Sequence, residues 1–227
     1  MTKDPSTGTA TTVPRGLWAD VAVILGFAVL ITAASILLDL DRRIARAVLD
    51  LGSPLGNLAE SAAVASFVIT AAGLAFLAVP PLRRRWPLVA RGAGVFAATL
   101  LIAVLGLIMG LKAEINRPRP DQTIEFGGAN EYRSPWASDP ACDCKAFPSS
   151  AAGFAFVVAA PYFVLRRRLP ALAWSVLGLG LGWGVLVGYW RMVAGRHWAT
   201  DILWSAAIVL LVASLLSHLT LSWRRDP

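Results

Sequence analysis

The sequence predicts an all-α, polytopic membrane protein with six transmembrane helices and a polar outer loop between the third and fourth spans. Three observations carry this. Of 227 residues, 56% are hydrophobic and only 15% are charged. The apolar residues gather in runs reaching the ~20 positions that a helix needs to cross a hydrocarbon core. The runs are continuous and do not alternate, which argues against a β-barrel wall. The chain has room for one bundle and no separate soluble domain.

Residues 1–16, MTKDPSTGTATTVPRG, are polar and predict a disordered cytoplasmic tail without a cleavable signal pattern. Residues 17–223 form the single membrane domain. The first span is 17–38, with Trp18 as an interfacial anchor. Segment 40–57 places Ile44, Val48, Leu49 and Leu51 on one face of a short helix lying in the interface. The second span, 61–79, leads into a basic, proline-closed loop, PPLRRRWPLVAR. The third span is 92–111, and 112–147 is rich in Pro, Gly and charge. The fourth, fifth and sixth spans are 148–165, 171–189 and 199–221. Gly178, Gly180, Gly182 and Gly184 predict close helix packing along the fifth.

Lys and Arg fix the orientation. With six spans, both termini share a side with the loops near 80–91 and 166–170, and that side holds eleven basic and three acidic residues. The opposite side keeps ten basic and eleven acidic ones. The bias puts both termini in the cytoplasm of a bacterial inner membrane, with segment 112–147 facing the periplasm. The net charge of +7 is therefore topological, and nucleic acid is not an expected partner.

Some outer cations oppose this bias. Arg42, Arg43 and Arg46 have Asp39, Asp41 and Asp50 as nearby partners. Lys112, Arg117, Arg119, Arg191 and Arg196 need another explanation, and cations kept at span ends point to an anionic ligand. Arg117 and Arg196 are given no catalytic role; they guide a headgroup or face water. His197 is one of two histidines and stands four residues before Asp201. At that spacing an Asp can hold one ring nitrogen and leave the other to attack or to bind a metal. Cys142 and Cys144 are read as structural loop cysteines, bonded or not; two thiols are too few for a metal site.

Three stretches share the outer face: Lys112-AEINRP-Arg119-Pro120; Phe147-Pro148-Ser149-Ser150-Ala151; and Arg191, five residues, His197, three residues, Asp201. Their order and spacing resemble the signature of the type 2 phosphatidic acid phosphatase superfamily of membrane lipid phosphatases. The pattern there is Lys, six residues, Arg-Pro; Pro-Ser-Gly-His; and Ser-Arg, five residues, His, three residues, Asp. The chain departs from it at three positions. Trp190 replaces the serine before the arginine, Ser150 replaces the glycine, and Ala151 stands at the histidine. The segment RPRPDQTIEFGG with its Cys-containing loop is most similar to the bacterial lipid A phosphatase branch.

The resemblance implies a phosphatase or phosphotransferase working without cofactor or metal. Lys112, Arg119, Ser149, Ser150 and Arg191 would hold the phosphate, the serines through a helix N-terminus that Pro148 opens. His197 would be the nucleophile, forming a phosphohistidine, and Asp201 would orient it. Ser149 is equally an ordinary N-cap. Ala151 cannot protonate a leaving group, and Glu125, Glu131 and Asp143 are the acids that could fold over to replace it. The expected partners are the bilayer and a phospholipid, lipid A or isoprenoid phosphate substrate, with lipid A favoured over undecaprenyl diphosphate and phosphatidylglycerol phosphate. A non-catalytic lipid-phosphate binder is the alternative. A transporter would need polar residues inside several spans, where there are almost none. No feature of the sequence addresses oligomeric state.

Overall fold

The computed structural model describes residues 15–55 and 79–222, with residues 58, 65, 68 and 72 between them. The predicted tail and the predicted second span, 61–79, lie almost wholly outside the described residues. What is described is helical, with no strand; the nearest approach is one isolated bridge, Thr123 to Asn130.

Helix α1 (Arg15–Leu38) is apolar over its length. Asp39 ends it with φ 54°, a left-handed turn that Asp tolerates better than most residues. The chain turns there into the short helix α2 (Leu40–Val48). After the undescribed stretch come α3 (Pro80–Arg85) and α4 (Pro87–Glu114), each opened by a proline, which the first helical turn accepts. Leu100–Ile108 within α4 is π-helical. Helices α5 (Ser150–Leu165), α6 (Pro170–Val193) and α7 (Ala199–Ser222) complete the bundle.

Among the described residues, four helices are long and apolar enough to cross a membrane: α1, α4, α6 and α7. The predicted fourth span is different. Helix α5 spans about 24 Å by helical rise, short of a ~30 Å hydrocarbon core. It is also broken by a 3₁₀ turn at Val157–Ala159 and by Pro161, which cannot donate to the helical ladder.

Helix α7 is the centre, packed on α1, α4, α5 and α6. Phe96, Val104 and Ile108 of α4 meet Phe156 of α5 and Ile202 and Val209 of α7 in the main apolar cluster. The fifth-span glycines divide by face. A Cβ at Gly180 would lie 2.4 Å from the Ala159 backbone, and one at Gly184 would lie 2.1 Å from the Phe156 ring. One at Gly188 would reach Ile202 at 2.5 Å, while Gly178 and Gly182 face open space. The stripe 180, 184, 188 therefore lets α6 approach α5 and α7 closely, the usual device where lipid supplies no hydrophobic drive.

At one end of the bundle, Arg166 donates two hydrogen bonds to Asp20 (2.7 and 2.8 Å), and Ser214 donates a third (2.6 Å). These tie α1, the end of α5 and α7 together. The predicted site residues gather at the other end, with α2.

Candidate active site

Past Glu114 the sequence Arg117-Pro118-Arg119-Pro120 cannot stay helical, because each proline disfavours helical geometry before it. Arg119 is extended, with φ −76° and ψ 159°. This strand-like run is knitted to the segment before α7. Asp121 N–H donates to Gly195 O (3.0 Å) and Trp198 Nε1–H to Pro118 O (2.8 Å). Gly195 has φ 68°, and a Cβ there would sit 2.9 Å from Leu51, so glycine permits the turn between Arg191 and His197.

His197 is buried, with 2% of its surface exposed. Its Nδ1 lies 2.6 Å from Ala146 O and 3.6 Å from Asp201 Oδ2. The first is a hydrogen bond and the second a charge contact. With Nδ1 carrying the proton, Nε2 keeps its lone pair. Burial pushes the imidazole down to about 4, against the pull of Asp201 and with help from the Lys112 charge, so the ring is neutral near pH 7.

Asp201 Oδ2 accepts from Trp198 N–H (2.8 Å), and Oδ1 accepts from Arg117 Nη1 (2.5 Å). Arg117 is the main correction to the sequence reading. It does not face water or guide a headgroup; its side chain is 0% exposed. Nη2 donates to Asp41 Oδ2 (2.7 Å), Nη1 also to Thr200 Oγ1 (3.0 Å), and Nε to Arg133 O (2.9 Å). The guanidinium lies 5.6 Å from the ring centres of Tyr132 and of Trp198. Burial works against its charge, but Asp201 and Asp41 hold its proton more tightly than usual. Asp41 is therefore not the partner of its arginine neighbours. Arg42 pairs with Asp39 (3.5 Å) and with Glu125 (2.7 Å), and Arg46 pairs with Glu125. Helix α2 turns Asp41 and Ala45 inward, and Ile44 is only half-buried.

The three predicted phosphate cations come together around His197. Lys112 lies within electrostatic reach of Arg119, Arg191 and Asp201, and His197 within reach of Lys112 and Arg191. Arg119 Nε is a buried donor without a hydrogen-bond partner among the described residues. Arg196 faces outward and pairs with Asp121 (3.2 Å).

Ser149 is the N-cap of α5: its Oγ accepts from Ala152 N–H (3.3 Å). Its own N–H points at Asp201 O (3.4 Å), so both Ser149 groups have protein partners. The helix begins at Ser150, which puts Pro148, after a cis Phe147–Pro148 bond, ahead of the cap and outside the first turn. Ala151 and Trp190 share one small cluster with Ala155, Val187 and Trp183. Two of the three departures from the motif are thus packed into the same apolar patch.

None of the acids named to replace the missing donor folds over the site. Burial works against the charge on Glu125, but hydrogen bonds from Arg42 and Arg46 hold it below the usual carboxylate range. Asp143 pairs with Lys145 (3.0 Å) and is 86% exposed; Glu131 is exposed. The acid near the cations is Asp121. Its Oδ1 is buried without a partner among the described residues, and burial pushes its carboxyl up against the fields of Arg196, Arg119 and Arg191. Among the described residues no three potential metal ligands cluster. Cys142 and Cys144 are bonded to each other.

A family model described as the PAP2 superfamily matches residues 92–225. The chain belongs to that superfamily. No curated protein matches it significantly. Among solved structures it is similar to the first transmembrane PAP2 type phosphatidylglycerolphosphate phosphatase from Bacillus subtilis. The identity is 23%, the similarity covers 92% of this chain and 99% of the other, and the TM-score is 0.50. The PAP2 match includes Lys112, Arg117, Arg119, Ser149, Arg191, His197 and Asp201, and leaves out Asp41. Both Asp41 and the burial of Arg117 escaped the sequence reading. The signal for Asp41 was its place on the α2 face shared by Ala45 and Val48 at helical spacing.

Proposed function

We propose that this PAP2 protein is a metal-independent lipid phosphate phosphatase that works through a phosphohistidine on His197. The carrying observation is a buried imidazole, held at Nδ1 by the Ala146 carbonyl, with Lys112 and Arg191 near it and Arg119 beside Lys112. In this reading Lys112, Arg119 and Arg191 bind the non-bridging phosphate oxygens, and the N-terminus of α5 at Ser149 and Ser150 frames the pocket. His197 Nε2 attacks phosphorus as the bond to the lipid oxygen breaks. Nδ1 keeps its proton, so the phosphorylated ring is cationic until water takes the phosphoryl group. Positioning and charge neutralisation carry most of such a transfer. Asp121 is the acid that this reading places at the leaving oxygen.

The substrate is a lipid phosphate at the outer face of a bacterial inner membrane. Lipid A is favoured by the segment after Arg119; undecaprenyl diphosphate and phosphatidylglycerol phosphate are the competing substrates. A second reading, lipid-phosphate binding without turnover, draws on the apolar surroundings of Ala151. The test is phosphate release by purified protein from a panel of these lipids, with His197→Ala as control and with EDTA and vanadate arms. Release lost in His197→Ala, unaffected by EDTA and blocked by vanadate is expected. Tight binding with no release leaves the second reading standing; loss with EDTA and recovery with Mg²⁺ ends the metal-independent mechanism.

A further inference from the structure

Behind His197 stands a closed charge cluster of which the family pattern contains Asp201 alone. Asp201, Arg117 and Asp41 are joined by hydrogen bonds of 2.5 and 2.7 Å, and all three are buried, with exposures of 0, 0 and 1%. Thr200 locks the corner: its N–H donates to Asp41 Oδ1 (3.0 Å) and its hydroxyl to Asp41 Oδ2 (2.5 Å). Two carboxylates thus face one guanidinium, so the formal charges of the three side chains sum to one negative.

That excess has a use. Without a charge on Asp41, the field of Arg117 would offset that of Asp201 at the imidazole. The Asp41 carboxylate on the same guanidinium counters Arg117 and leaves a net negative field behind the ring. The groups facing His197 make this count. Lys112 of α4 and Arg191 of α6 are both cationic, Arg119 and Lys145 lie within reach of Lys112, and Asp201 of α7 is the acid among them. Tyr132 closes over Arg117 with its hydroxyl 3.4 Å from Asp41.

We propose that Asp41, outside the matched family region, is a positioning residue of the reaction: through Arg117 it fixes Asp201 and leaves the cluster the negative charge that balances the cationic phosphohistidine. The proposal rests on the phosphohistidine reading of His197. It makes α2, a nine-residue helix beside α1, part of the catalytic apparatus.

The test compares Asp41→Asn, Asp41→Glu and the double variant Asp41→Met/Arg117→Met with the wild type. Asp41→Asn keeps the shape and removes the charge. Its kcat should fall roughly 10–100-fold, as when partners behind a ligating His are removed. KM should change little, and the acid limb of the pH–rate profile should move to lower pH. Asp41→Glu should restore the limb. The double variant removes one charge of each sign, a replacement that buried pairs often tolerate. It should keep the wild-type limb with a lowered kcat, because Asp201 has lost its anchor. A folded Asp41→Asn protein with unchanged kcat and limb overturns the proposal. If Asp41→Asn does not fold, a double variant with full kcat overturns it. The low-field proton resonance of His197 Nδ1–H, read without substrate, separates this outcome from failure of the phosphatase reading. It should shift in Asp41→Asn whether or not the wild type releases phosphate, and a folded variant with the resonance unmoved counts against Asp41 alone.

Discussion

Arg117 and Asp201 meet in the protein interior, Nη1 to Oδ1 at 2.5 Å, and neither side chain is exposed. The pair joins the run after α4 to the first turn of α7, so it fixes the site from two directions. Removing one partner of such a pair costs about 3–5 kcal/mol, because the other charge stays buried. Arg117→Lys keeps the charge but not the planar fork that reaches Asp201, Thr200 and Asp41 together. A folded protein with turnover lowered at least roughly 10-fold is expected, since charge-assisted bonds in the fork are the stronger kind. Thermal unfolding and phosphate release, measured on the same preparation, check it. Wild-type turnover would show that Arg117 contributes only charge.

His197 should titrate far from an ordinary imidazole. Burial pushes it to about 4, so it stays neutral where a free histidine, near 6.5, would be protonated. Between these two values the unfolded chain binds the proton and the folded chain does not. This residue therefore lowers stability as pH falls through that window, and stability rises with pH across it. The check is ¹⁵N-histidine NMR in a His218→Gln background. The His197 signals should remain those of a neutral ring down to pH 5; a midpoint near 6.5 would contradict the buried geometry.

Ala151 cannot be restored to histidine alone. It shares its cluster with Trp183 and Trp190, whose rings are 6.0 Å apart at 87°. A new imidazole there would pack beside two indole rings. Ala151→His should gain little, whereas Ala151→His/Trp190→Ser should raise turnover of alkyl phosphate monoesters by up to the ~10²-fold that a general acid supplies. Diphosphates, whose leaving group needs less protonation, should change less. Equal gains on both substrates would place the missing function elsewhere.

Asp121→Asn should separate the same two substrates in the wild-type background. Asp121 has a buried oxygen without a partner among the described residues, and burial pushes its carboxyl up, the direction that suits a proton donor. Monoester turnover should fall by about 10²-fold or more with diphosphate turnover less affected. Equal losses on both would make Asp121 a partner of Arg196 and nothing further.

The long spans were legible because hydropathy reports length and apolarity directly, and α1, α4, α6 and α7 follow it. The cations at the span ends could be picked out because they oppose the expected charge bias, and Lys112 and Arg191 do lie near His197. What stayed hidden depends on contact between distant segments. Arg117 stands two positions before Arg119, and nothing local says that one turns inward to Asp201 while the other keeps a free Nε. Asp41 was masked by its arginine neighbours and by a reading of α2 that assigned its inner face to apolar residues. A carboxylate can occupy such a face only when a buried cation waits there, and that cation is 76 positions away. The break in α5 was missed, although Pro161 inside the apolar run was a local sign of it.

The glycine stripe of α6 acts as a gauge for the proposed phosphate clamp. Arg191 rides on the same helix as Gly184, about 10 Å further along by helical rise. The width between Arg191 and the start of α5 is thus specified from below, by three positions that carry only hydrogen where other residues carry carbon. A methyl group at Gly184 would have to push α6 off the Phe156 ring, and the displacement would travel up a stiff rod to the guanidinium. The jaw would then open slightly, at a site proposed to take a small and highly charged group. Such a change would register as slackened grip on phosphate while the bundle still held together.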